Sequence, residues 1–152
     1  MKLLEVGEMI TEKDIYKIEK KMNLEFPVEY KKFLLRNNGG MPEDEVEFRF
    51  AEYNPMTQEK REQGSDIHYF YSIEEITNIY QNLVCEELIH KNYIPIACDS
   101  FGNEILLGSN KDSIGVFFAN HEMLNSNDSF WYISKIADTF DEFMNMLRPI
   151  EY

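Results

Sequence analysis

The sequence predicts an α+β domain in which an antiparallel β-sheet packs with an N-terminal helix pair, a middle helix and a C-terminal helix. Three observations carry this. Residues 11–38 hold two amphipathic helical stretches with start and stop signals; apolar runs separated by turn residues follow between positions 46 and 120; and Ser72 and Thr139 open capping boxes for further helices. No internal repeat or linker divides the 152 residues, so they read as one domain, 1–152. A chain of this length buries roughly two-thirds of its unfolded surface.

Thr11 is an N-cap followed by acids in the first turn, and Ile15, Ile18 and Met22 continue on one face until Asn23. The next stretch writes a second helix whole. Pro27 stands at a first helical position, which tolerates a missing N–H; Tyr30, Phe33 and Leu34 form one apolar stripe; Asn38-Gly39-Gly40 stops the helix.

Val46, Phe48 and Phe50 alternate with Glu45, Glu47 and Arg49, the period of a strand with one buried face. From Glu52 to Asp66 the composition turns polar, with Pro55, Gly64 and the run Glu59-Lys60-Arg61-Glu62, which predicts a long exposed loop. Ile67 to Tyr71 resumes as a short strand. After the Ser72–Glu75 capping box, Ile76, Tyr80 and Leu83 carry a helix to about Ile89. Tyr93–Cys98, Glu104–Leu107 and Ile114–Asn120 are short apolar runs joined by turn residues, and hairpins are their simplest connection. Residues 121–129 read as a polar loop and Phe130–Ile136 as a last strand or extended approach. Thr139-Phe140-Asp141-Glu142 opens the final helix, whose apolar face is Phe140, Phe143, Met144 and Leu147 and which Pro149 stops. The predicted core is Tyr30, Phe33, Leu34, Ile96, Phe117, Phe140, Phe143 and Leu147.

The formal charge of −13 is uneven: residues 1–40 hold eight Lys/Arg and seven Asp/Glu, residues 41–152 seven and twenty-one. Such a surface repels phosphate backbones, which argues against direct nucleic-acid binding, and it speeds encounter with a basic protein. Cys85 and Cys98 make neither a disulfide framework nor a zinc site and read as buried small residues. Acids interrupt the apolar start of the chain before a signal-peptide core forms, and no apolar run nears the roughly 20 residues of a membrane span. The expectation is a cytoplasmic protein without membrane contact.

The candidate catalytic and cofactor-binding residues form no recognisable signature. His68, His90 and His121 lie on separate elements without helical metal-pair spacing. Asp99-Ser100-Phe101-Gly102-Asn103 lacks the alternating acids of a calcium loop and reads as a turn. No glycine elbow surrounds Ser100, Ser109 or Ser113, and Gly39-Gly40 and Gly102 stand outside any phosphate-binding frame. Glu74-Glu75 and Glu86-Glu87 read as solvated helix acids. The expectation is no enzyme, no cofactor and no metal.

Four stretches together resemble the SUKH superfamily, which includes bacterial toxin-immunity proteins and yeast cell-wall-synthesis regulators. They are Pro27 to Gly40, Ile94-Pro95-Ile96-Ala97-Cys98-Asp99 with Gly102-Asn103, Gly115-Val116-Phe117-Phe118, and Ala137 to Phe143. Ala119-Asn120-His121-Glu122 stands where a Trp-Asp pair often follows the third of them. The resemblance runs from about residue 12 to 147. It implies an antiparallel sheet backed by helices and a binding function: neutralisation of a toxin domain, a basic nuclease among the candidates, or a regulatory scaffold for a cellular protein.

Tyr69-Phe70-Tyr71, Phe117-Phe118 and Phe130-Trp131-Tyr132 hold more rings than a one-sided sheet needs. If helices cover only one sheet face, some of these rings line an outer surface, where aromatics beside acids suit protein recognition; if both faces are covered, the rings are core. The candidate partner contacts are Glu45, Glu47, Tyr69, Tyr71, Asp99 and Glu104, on strands or adjoining turns, with the Glu52–Asp66 loop bordering them.

Overall fold

A computed structural model describes residues 1–125 and 128–152. In chain order the elements are β1 (Leu3–Leu4), α1 (Glu12–Met22), α2 (Val28–Arg36), β2 (Met41–Pro42), β3 (Val46–Tyr53), β4 (Lys60–Asp66) and β5 (Tyr69–Phe70). There follow α3 (Ile73–Cys85), β6 (Tyr93–Cys98), β7 (Glu104–Gly108), β8 (Gly115–Leu124), β9 (Trp131–Ala137), α4 (Phe140–Met146) and β10 (Arg148–Pro149). The strands pair antiparallel as β5-β6-β7-β8-β9, as β10-β3-β4 and as the short ladder β1-β2. The architecture is α+β.

The helices start where capping chemistry places them. Thr11 and Asp14 make a reciprocal capping box, as do Ser72 and Glu75. Pro27 sits one position earlier than expected, as the N-cap of α2 rather than its first helical residue. At α4 the Thr139 hydroxyl accepts from the Glu142 amide, but the Glu142 carboxylate accepts from the Asp138 amide instead of closing a box on Thr139.

After α2 the chain turns through Gly39 at φ +76°, where a Cβ would stand 2.6 Å from the Ser72 nitrogen. No side chain fits that approach. Gly40 and Phe70 then exchange both backbone hydrogen bonds, at 2.9 and 2.8 Å, which fixes the helix pair to β5. The buried side chain of Asn38 completes the junction by donating to the Glu8 carbonyl and accepting from the amide of Ile73, the first residue of α3.

The main core joins the α1–α2 pair, α3 and α4 to the inward rows of both larger sheets. Tyr30, Phe33, Phe70 and Phe140 form one aromatic group, with Phe33 centred 5.1 Å from Phe70 and 5.3 Å from Phe140. Phe48 and Phe50 of β3 meet Phe118 of β8, the Phe50–Phe118 rings being 4.7 Å apart, so the two sheets share an apolar contact there.

Several expected elements are corrected. The predicted Glu52–Asp66 loop is a hairpin: β3 runs on to Tyr53 and pairs with β4 from Glu47↔Asp66 to Tyr53↔Lys60. Its polar sequence reads as loop because β4 is an edge strand with mostly solvent-facing side chains, and backbone pairing overrides its weak strand propensity. Similarly, β8 continues through His121 to Leu124 with an irregular register after Asn120, across residues expected to be loop. Positions 126 and 127 of that expected loop lie outside the described residues. The strand expected over Ile67–Tyr71 is reduced to Tyr69–Phe70, and α3 ends at Cys85, with Glu87 left-handed at φ 56°. Cys85 is exposed and Cys98 half-buried.

Six of the eight predicted core residues are buried; Phe117 and Leu147 are half-buried. Phe117 points to the opposite face of the sheet from Val116 and Phe118. There it joins Leu106, Ala119 and Ile89 in a smaller cluster with Tyr93, Trp131 and Ile133. Leu147 lies one residue past the end of α4.

Phe33→Ala is expected to lower stability by about 3–5 kcal/mol, because it opens a cavity among Tyr30, Phe70 and Phe140. Asn38→Ala should cost about 2–3 kcal/mol by leaving the Ile73 amide buried without an acceptor. Denaturant unfolding measures both; an unchanged midpoint for either variant would contradict the packing described.

Candidate functional site

The six sequence-selected residues fall into three places. Glu45 and Glu47 flank the start of β3 on its outward side, where the Glu45 carboxylate accepts from the Tyr152 hydroxyl and Glu47 faces Arg148 across the ladder. Glu45 is exposed and Glu47 half-buried. In register behind Glu47 on that face come Asp66, then Arg49 with Gly64, then Ala51 with Glu62. This is an open, mainly acidic face.

Tyr69, Tyr71 and Glu104 come together at the edge of the five-stranded sheet. Tyr69 and Glu104 both pair with Cys98, from opposite sides, and the Tyr69 and Tyr71 rings are 6.4 Å apart. The Tyr71 hydroxyl reaches both Glu104 oxygens, at 2.9 and 2.7 Å. Burial pushes the Glu104 carboxyl up to about 7, against the pull of this hydrogen bond, and the nearby Asp99 charge adds to the rise. Burial also raises the Tyr71 phenol and the Cys98 thiol. Tyr71 therefore stays a donor, and Cys98 is a poor thiolate.

Asp99 is 3% exposed and organises the β6–β7 turn. Its Oδ1 accepts from the Phe101 and Asn103 amides at 2.9 and 2.8 Å; its Oδ2 accepts from Asn103 Nδ2 and Ser65 Oγ at 2.8 and 2.7 Å. Asp66 likewise accepts from the Ser100 amide and hydroxyl. Together these contacts stitch β4 to the turn and link the two sheets.

Between that turn, the β3–β4 hairpin and β8 lies a polar cleft of about 230 Å³ which sequence reasoning missed. Glu52 lies in it, accepting from Gln63 Nε2 and Asn120 Nδ2. Asn103 Oδ1 accepts from the His121 backbone amide and from its Nδ1, the latter at 2.6 Å, tying the turn to β8. The missed signal was the alternation itself, since Val46, Phe48 and Phe50 are followed two residues later by Glu52.

Among the described residues no group of three His, Cys, Asp or Glu is placed to hold a metal ion, and no helix is long and apolar enough to cross a membrane. The family model described as the SMI1 / KNR4 family (SUKH-1) matches residues 9–146. No curated protein matches the chain.

The raised Glu104 carboxyl sets a pH dependence. In the folded chain it keeps its proton to about pH 7, whereas the ordinary value is 4.5, so its contribution to stability is complete below about 4.5 and is lost as pH rises through 7. Glu104→Gln, which cannot ionise, is expected to match the natural chain near pH 4 and exceed it by about 1–3 kcal/mol near pH 8. Chemical denaturation across this range checks it. A difference independent of pH would rule the titration out.

Proposed function

The chain belongs to the SMI1 / KNR4 family (SUKH-1), and from that premise we propose that it is a non-enzymatic, cytoplasmic protein-binding domain that neutralises a toxin by covering its active surface. The family match across most of the chain carries this reading. The acidity of residues 41–152, with twenty-one Asp/Glu against seven Lys/Arg, supports a basic partner, a nuclease toxin among them. An acidic surface presented to such a partner takes the place of nucleic acid and raises the association rate.

Of the proposed contacts, Glu45, Glu47 and Tyr69 offer side chains to a partner. Tyr71, Asp99 and Glu104 act from behind them: Asp99 shapes the β6–β7 turn, and the Tyr71–Glu104 hydrogen bonds brace the strands around Tyr69. The open outward face of β3 and β4 supplies the acidic part of the surface.

Co-expression with a toxin encoded beside this gene should restore growth and recover a complex; no rescue by the chain would count against immunity. A growth or wall phenotype of the deletion without toxin would favour the regulatory role instead. In a recovered complex, reversing Glu45 and Glu47 to lysine should slow association by about tenfold at low salt and flatten its salt dependence, with folding intact. Stopped-flow association rates read this, and unchanged rates would move the binding face away from β3.

A further inference from the structure

The inward row of β3 runs Val46, Phe48, Phe50, Glu52. The first three pack into the apolar core. The fourth places a carboxylate, 4% exposed, in the cleft between the hairpin and β8. A buried carboxylate without a counter-charge is costly. Its donors here are neutral amides, Gln63 and Asn120, both at 3.2 Å. Among the described residues no lysine, arginine or histidine forms an ion pair with it. Arg61, opposite Glu52 in the ladder, is exposed. His121 lines the cleft, but its Nδ1 is engaged by Asn103.

The two amide bonds leave about half of the acceptor positions of the carboxylate open. Asp99 and Glu122 add negative charge to the lining, and Phe50 and Phe118 give it an apolar wall. Phe101 brings a ring that is 72% exposed, although its own backbone amide and that of Asn103 are fixed by Asp99. A buried carboxylate, an apolar wall and an exposed ring around one cavity complement a cationic head on an aliphatic stem. The ring face attracts the cation, the carboxylate accepts the paired N–H groups of a guanidinium, and the stem covers the wall.

We propose that this cleft receives an arginine side chain of the protein partner, with Glu52 as its counter-charge and Phe101 as its platform. The proposal rests on the protein-binding reading above and names the chemistry of one contact within it. It also accounts for the placement of a carboxylate in an otherwise apolar row.

The test follows the backbone amide NMR signals of the full chain during titration with N-acetyl-arginine amide, with N-acetyl-norleucine amide as the uncharged control. Saturable shifts are expected at Gln63, Phe101, Asn103, Asn120 and His121 with the arginine compound and not with the control. Glu52→Gln should weaken this binding by about tenfold and Phe101→Ala by about threefold. Thermal unfolding of each variant accompanies the titration; Phe101→Ala alters an exposed ring and keeps the test decisive if Glu52→Gln folds poorly. Equal responses to both amides, or an arginine response unchanged in the folded variants, would overturn the proposal. Binding of the protein partner that is intact in both variants would remove the arginine contact and leave the protein-binding reading standing. Arginine binding at the cleft without any protein partner from co-expression would do the reverse.

Discussion

Asn38 donates to the Glu8 carbonyl and accepts from the Ile73 amide, so one buried side chain holds three segments far apart in sequence. Its backbone carbonyl accepts in addition from Gly7, where a Cβ would stand 2.8 Å from the same oxygen. The segment leading into α1, the end of α2 and the start of α3 therefore meet at one residue. Both Asn38 groups are buried, and the alternative to these bonds is unsatisfied amide and carbonyl groups, which sets the geometry more firmly than apolar contact alone. Gly39 then turns the chain so that Gly40 pairs with Phe70 of β5. The orientation of the helix pair relative to the five-stranded sheet follows from that pairing.

The meeting of the two larger sheets obeys a different constraint. Phe48, Phe50 and Phe118 close the apolar contact between β3 and β8, and Asp99 and Asp66 close the polar one at the β6–β7 turn. Aromatic packing sets the spacing of the sheets, while the carboxylates fix their relative position along the strands. The cleft opens where the apolar row of β3 gives way to Glu52, beside the polar stitches. It is thus a consequence of how the sheets are joined, with its walls supplied by elements already fixed for other reasons.

The helices were legible in the sequence because their signals are local. Thr11, Ser72 and Thr139 mark starts, and Tyr30, Phe33, Leu34, Phe140 and Phe143 are buried at the spacing that names a helical face. The hairpins of β6, β7 and β8 were legible for the same reason, with turn residues between short apolar runs. Strand β4 was not. Lys60 to Asp66 has no buried face of its own to write a period, and its strand state comes from pairing with β3. That miss concealed Glu52, because reading a loop from position 52 hid the continuation of the inward row. Similarly, Asp99 reads in sequence as an exposed turn acid; its burial depends on Ser65 and Asn103, which the sequence alone does not bring together.

Glu52 and Glu104 show how the surroundings of a carboxylate divide its possible uses. At Glu104 both oxygens are occupied by one phenol hydroxyl, burial pushes the carboxyl up to about 7, and the cheaper state at lower pH is the protonated one. It meets its environment by giving up charge. At Glu52 the donors are two amides anchored on opposite walls, Gln63 on β4 and Asn120 on β8, while the cleft leaves room beside them. Both amides already bond the carboxylate, so it is oriented in advance and little ordering cost falls on association. The first arrangement braces two strands, and the second presents a directed negative group to whatever enters.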